Sequence, residues 1–163
     1  FGRLISQTDV TLFRSRIGSF LDVDEFLRFI AVNAFIVNTD SYLRGGHNFY
    51  LYLDSTDGRV RFMPWDQDLS MGSRAGRMDA VDIFRPYSGD QPLIYWLLDD
   101  PAVSTRYRAI LKELAATIFT AAEVGKLMTA LEAVGAGRVN SPRPFLEQRI
   151  AYVQDLLAGR HLP

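Results

Sequence analysis

The feature that most limits the fold is a switch from helical to strand periodicity between residues 26 and 63. Phe26, Phe29, Ile30, Ile36 and Val37, with Asn33 among them, recur at helical spacing in a run that is apolar on most faces. This predicts a helix central to the fold. Asp22, with Glu25 three residues on, gives that helix a capping-box-like start. A polar loop follows, and Asn48 then opens a strand from Phe49 to Leu53. Asp54-Ser55-Thr56-Asp57-Gly58 supplies the turn, with Gly58 suited to a positive φ. The return strand, Arg59 to Met63, should stop at Pro64, which has no N–H to donate, leaving Trp65-Asp66-Gln67-Asp68 in a loop.

This layout gathers oxygen donors at one end of a hairpin. If the strands pair, Asn48 lies beside Asp66, so an amide oxygen and one or two carboxylates converge. Oxygen-only donors suit Mg²⁺ or Mn²⁺ rather than zinc. Asp40 sits where the apolar helix should be ending. A helix C-terminus disfavours an acid there by roughly 0.3–1 kcal/mol. Asp40 is the candidate general base or hydroxyl-orienting residue, and Asn48 and Asp66 are the candidate metal ligands. Asp68 is either a further ligand or a support for the loop that positions Asp66. The plainer readings are a turn cap at Asp40, a strand-end residue at Asn48 and a turn residue at Asp66. His47 is adjacent, but with His161 as the only other histidine a His-built zinc cluster is excluded; an orienting or packing role is left. Trp65, Tyr42, Tyr50 and Tyr52 read as core. Arg74, Arg77 and Arg85 could receive phosphate or an acidic substrate, and a solvated loop explains them equally well.

Helix, acid, amide, hairpin and second acid follow in the order of a protein-kinase catalytic segment, with its catalytic Asp, metal-binding Asn and metal-binding Asp. The spacing differs: Asp40 and Asn48 are eight residues apart, and Asp66 stands in W-D-Q-D rather than D-F-G. The wording N-x-D-S-Y, H-N-F-Y-L-Y and F-M-P-W-D-Q-D-L-S-M-G closely resembles the CotH family, atypical kinases named for spore coat protein H. The resemblance is densest from Phe26 to Gly72 and continues more weakly to about Leu157. It implies ATP-dependent transfer of a γ-phosphoryl group to protein Ser or Thr hydroxyls with Mg²⁺ or Mn²⁺. Asp40 would then be catalytic, Asn48 and Asp66 would bind the nucleotide through the metal, and Asn48, Asp66 and Asp68 would be its ligands. A spore-coat or secreted, cell-envelope setting is implied as well.

At 163 residues and 48% hydrophobic, the chain suffices for one packed domain, and no boundary is visible within 1–163. A formal charge of −1 without a basic stripe argues against a nucleic-acid partner. With no Cys there are no disulfides or thiolate metal sites, and the apolar runs are too short to span a bilayer. The first lysine is Lys112, and no G-x-G-x-x-G occurs. A kinase needs both a loop over the ATP phosphates and a paired lysine. Because the chain opens on Phe1 rather than Met, an upstream region is expected; the CotH resemblance implies that the nucleotide-clamping lobe lies there, and the 163 residues alone are expected to be inactive or nearly so.

The remainder reads as helices. The lead-in to residue 20 is short and irregular, and residues 70–92 form a long polar loop of the functional or mobile kind. Asp90 with Pro92, Asp100 with Pro101, and Thr120 with Glu123 open three helices, the last ended by Gly135 and Gly137. A final helix runs from about Phe145 to Leu157. The sum is a mainly α chain with one small hairpin (α+β), resembling the C-terminal lobe of a protein-kinase-like fold without its N-terminal lobe. Two other functions compete. One is a catalytically inactive, pseudokinase-like interaction or assembly module. The other takes Asp66-x-Asp68 as the D-x-D of a glycosyltransferase, against which no strand–helix alternation precedes Asp66.

Overall fold

The computed structural model describes residues 1–6, 9–73, 77, 80–89, 91–135 and 141–160. Short helices α1 (Gly2–Ile5) and α2 (Val10–Arg16) and a 3₁₀ turn (Ile17–Ser19) lead into α3 (Val23–Phe35). Then come β1 (Phe49–Leu53), β2 (Val60–Pro64), α4 (Pro92–Leu98), α5 (Pro101–Thr117), α6 (Ala121–Ala133) and α7 (Arg143–Leu157). The fold is mainly helical with a two-stranded antiparallel sheet.

Helix α3 is central because its apolar positions cover most of its circumference: eight of its residues, from Phe26 to Phe35, are buried. It packs against α5, α7 and β2. Asp22 accepts the Glu25 N–H at 3.1 Å, whereas the Glu25 carboxylate pairs with Arg61 on β2. Half of the expected capping box is thus diverted to hold the hairpin.

The C-terminus of α3 closes as a Schellman motif. The Val37 N–H donates to the Ala34 carbonyl at 3.3 Å and the Asn38 N–H to that of Asn33 at 2.9 Å. The residue in the left-handed position is Val37, with φ 53°, where glycine is usual. A β-branched residue there costs on the order of 1–3 kcal/mol. Its side chain is fully buried, which offsets the strain through apolar contact. Arg149 of α7, itself only 1% exposed, completes the cap. Its guanidinium donates to the carbonyls of Ala34 (2.9 Å), Phe35 (3.3 Å) and Val81 (3.0 Å). A cation suits the negative end of a helix.

The hairpin pairs Phe49 with Pro64 through to Leu53 with Val60. Its turn follows local chemistry: Asp54 Oδ1 accepts the Thr56 N–H, and Gly58 takes φ 71°. Phe62 pins it to the core, with ring centroids 4.7 Å from Phe26, 5.5 Å from Phe29, 5.0 Å from Tyr42 and 5.2 Å from Phe49. The expectation that Tyr50, Tyr52 and Trp65 are core is wrong; they are half-exposed or more, as are Leu51, Leu53 and Met63. The two-stranded sheet reaches the helical body through Phe49, Phe62, the Arg61 ion pair and the Val60 backbone, so these other side chains face solvent. Tyr42 does join the core, and burial pushes its hydroxyl up to about 12.

Caps at the later helices follow the local signals. Asp100 accepts from Ala102 and Val103 ahead of α5, and Thr120 accepts from Glu123 ahead of α6. Helix α7 starts two residues earlier than expected, at Arg143, with Pro144 inside its first turn, where the missing N–H costs nothing. Gln91 stands at the N-cap of α4 without a side-chain cap. Asp90 and Gly137, expected at helix ends, lie outside the described residues. The described part of the long loop is tied down: Val81 and Ile83 are buried, and Ile83 O accepts the Tyr107 hydroxyl at 3.0 Å. Among the described residues, no single helix is long and apolar enough to cross a membrane.

Candidate functional site

Four non-glycine residues among those described have positive φ: Val37 (53°), Asn48 (57°), Asp66 (47°) and Met71 (53°). They lie in the segments joining α3, the hairpin and the loop beyond it, where strain of this kind often marks a functional constraint. Two of them are candidate site residues.

Asp40 stands five residues beyond the end of α3, in the loop after the Schellman turn. It does not bear directly on the helix terminus as its position in the sequence suggested. The Asn48 side-chain amide donates to the Asp40 main-chain oxygen (2.7 Å) and to Asp40 Oδ2 (2.9 Å). This orientation leaves Asn48 Oδ1 as the atom able to face a cation. His47 Nε2 is 3.8 Å from Asp40 Oδ1, so the histidine flanks the acid. Its ring lies over Gly45, where an added Cβ would come within 2.0 Å of Nε2.

The base of the hairpin brings Asp66 to the same place. The Trp65 N–H donates to the Asn48 carbonyl at 3.1 Å, one step beyond the Phe49–Pro64 pair. The Asp66 carboxyl is pushed above the ordinary carboxylate range. The charge of Asp68 is the largest cause, followed by lost solvation, the hydrogen bond with Asp68 and the charge of Asp40. Asp40, Asn48, Asp66 and Asp68 therefore sit together, as spacing and hairpin geometry suggested. Among the described residues, no group of three or more His, Cys, Asp or Glu forms a ready-made metal site; a candidate set must include the Asn48 amide.

Sequence reasoning missed the amides that organise these acids. Asn38 is fully buried. Its Oδ1 accepts the Asp40 N–H at 3.1 Å, and its Nδ2 donates to Asn33 Oδ1 (3.1 Å) and Gln67 Oε1 (2.9 Å). Gln67 Nε2 in turn donates to the Trp65 carbonyl at 2.8 Å. The available signal was polar residues interrupting apolar or acidic runs: Asn33 and Asn38 in the helix end, and Gln67 between two acids.

Two cavities adjoin the loop. One of about 750 Å³ is lined by Asp68, Ser70, Gly72, Ser73, Phe145 and Gln148, among others. The other, about 730 Å³ and mostly apolar, runs between α3, β2 and α6 and shares Gln67 and Met71 with the first. Of the loop arginines, Arg85 lines a separate small cavity with Asp82, Asp99 and Arg108. Arg77 is exposed, and Arg74 lies outside the described residues.

The family resemblance carried by the sequence motifs is met by the comparison with known families. The family described as CotH kinase protein matches residues 1–142, and the chain belongs to that family. Inner spore coat protein H of Bacillus subtilis (strain 168) is 30% identical over 109 residues, which are 66% of this chain and 29% of that protein. The chain thus spans less than a third of the length of that relative.

Proposed function

We propose that the chain is the site-bearing part of a CotH-type phosphotransferase, a single domain corresponding to the C-terminal lobe of a kinase-like fold. It passes the γ-phosphoryl group of ATP to Ser or Thr hydroxyls of a protein. One observation carries this reading: Asn48 clasps Asp40, while Asp66 stands hydrogen-bonded to Asp68 within reach of its charge and, more weakly, of that of Asp40. Like-charged carboxylates held together, with an amide oxygen beside them, form a donor set suited to a hard divalent cation. Asn48, Asp66 and Asp68 would hold Mg²⁺ or Mn²⁺, which when bound offsets charge on phosphate oxygens. Asp40, fixed through its main chain and a carboxylate oxygen by the Asn48 amide, would orient the acceptor hydroxyl and take its proton. The spore-coat relative makes a spore coat the proposed setting.

The test uses the chain together with whatever its gene encodes before Phe1. Incubation with γ-labelled ATP, Mg²⁺ or Mn²⁺ and a Ser-rich acceptor protein should give transfer that Asp40→Asn and Asp66→Ala both abolish. Transfer unchanged in Asp66→Ala would sink the ligand assignment. A folded protein that transfers to no acceptor would leave a non-enzymatic assembly module in place of the kinase.

A further inference from the structure

The two acids of the site are separated by 26 residues in the sequence, yet each needs a fixed place relative to the other. The hairpin aligns Asn48 with Trp65 but ends at Pro64, and Asp66 follows with an unfavourable backbone at φ 47°. What holds that backbone is the neighbouring side chain. Gln67 reaches back to the carbonyl of Trp65, which belongs to the peptide entering Asp66, and its other amide atom is held by Asn38. Asn38 is held by Asn33 on the last turn of α3 and itself holds the Asp40 N–H. Asn33 completes the series by donating to the Phe29 carbonyl at 2.9 Å.

We infer that Asn38 and Gln67 are positioning residues, a two-amide relay that sets the Asp40 loop and the Asp66 loop to one another and anchors both to α3. The inference rests on the reading of the acids as a cation-binding phosphotransfer site. Each amide uses both its donor and its acceptor end in the relay, so no ionised carboxylate or apolar side chain of similar size reproduces it. The burial of Asn38 removes competing water, so each bond is a defined geometric constraint rather than one option among several. Supports of this kind behind ligand groups typically carry 10–100-fold of metal affinity.

Gln67 is the residue to test, because it is only half-buried and Gln67→Met keeps its length. Asn38→Asp serves as a second variant; it keeps an acceptor for the Asp40 N–H and loses the donor to Gln67. The protein is titrated with Mn²⁺ alone, followed by electron paramagnetic resonance, and hydrogen exchange is read at the Asp40 amide. Gln67→Met is expected to melt close to the wild type, to bind Mn²⁺ about 10–100-fold more weakly, and to lose protection at Asp40, which it does not touch. A merely local role for Gln67 would leave Asp40 unmoved. Equal Mn²⁺ affinity in wild type and Gln67→Met overturns the relay while leaving the site reading intact. A wild type that binds no Mn²⁺ overturns the cation reading instead; the Asp40 amide then decides the relay, and unchanged protection overturns it.

Discussion

Replacing Arg149 by Met pits two large effects against each other. The guanidinium is almost fully buried and, among the described residues, donates to the carbonyls of Ala34, Phe35 and Val81, of which Ala34 O also accepts the Val37 N–H. Methionine removes the desolvation cost of a buried cation, a gain that favours the variant. It also strips Phe35 O and Val81 O of a charged donor, and each buried acceptor so deprived costs about 1–3 kcal/mol. The charge at the negative end of α3 adds roughly another 1 kcal/mol to the loss. Two acceptors and the helix end outweigh the regained solvation, and we expect a net loss of about 2–4 kcal/mol. For a chain of this size that lowers the melting temperature by about 5–15 °C. Arg149→Lys should fall between, because a point charge cannot span three carbonyls. Thermal melting followed by circular dichroism decides the matter. A Met variant melting within about 2 °C of wild type would refute the view that Arg149 caps α3.

Three further outcomes follow from the packing and charges. Phe62→Ala removes the ring on which Phe1, Phe26, Phe29, Tyr42 and Phe49 converge and should cost about 3–5 kcal/mol in urea unfolding, with Mn²⁺ binding lost at denaturant levels where the helices persist. Asp66→Asn should raise the melting temperature at neutral pH in chelator. The raised carboxyl makes ionised Asp66 a liability that is full above its folded value and absent below the ordinary range. The gain should therefore vanish as the pH is lowered through that window, and a variant less stable than wild type at pH 7 would contradict the sign. Gly72→Ala forces a Cβ to within 2.6 Å of the Phe145 ring at φ 86°. It should cost about 1–3 kcal/mol, measurable by the same unfolding assay.

What was legible in the sequence was local. Asp22, Asp100 and Thr120 cap helices because the groups they bond lie two or three residues away, and Asp54 to Gly58 turn the chain by their own chemistry. The pairing that sets Asn48 beside Asp66 could be read because one tight turn fixes the register. The relay could not: Gln67 and Asn38 lie 29 residues apart, and Arg149 caps a helix that ends 114 residues before it. Val37 in a left-handed conformation runs against its intrinsic preference and is sustained only by the core around its side chain. Tyr50, Tyr52 and Trp65 misled for the converse reason, since aromatic residues in a strand signal a buried face only when something covers it.

The hairpin also determines how this site tolerates change. Asn48 and Asp66 lie at the open end of the two strands, and the Asp54–Gly58 turn at the other. Residues added in matched pairs near that turn, one to each strand, lengthen the ribbon and disturb the Arg61 ion pairs, but they leave Phe49 opposite Pro64. A single residue added to one strand forces either a bulge or a slip, and a slip exchanges the two faces. Phe62 would then leave the aromatic cluster, and Asn48 would lose its place beside Trp65. What must be preserved between Asn48 and Asp66 is the parity of the insertion rather than its length.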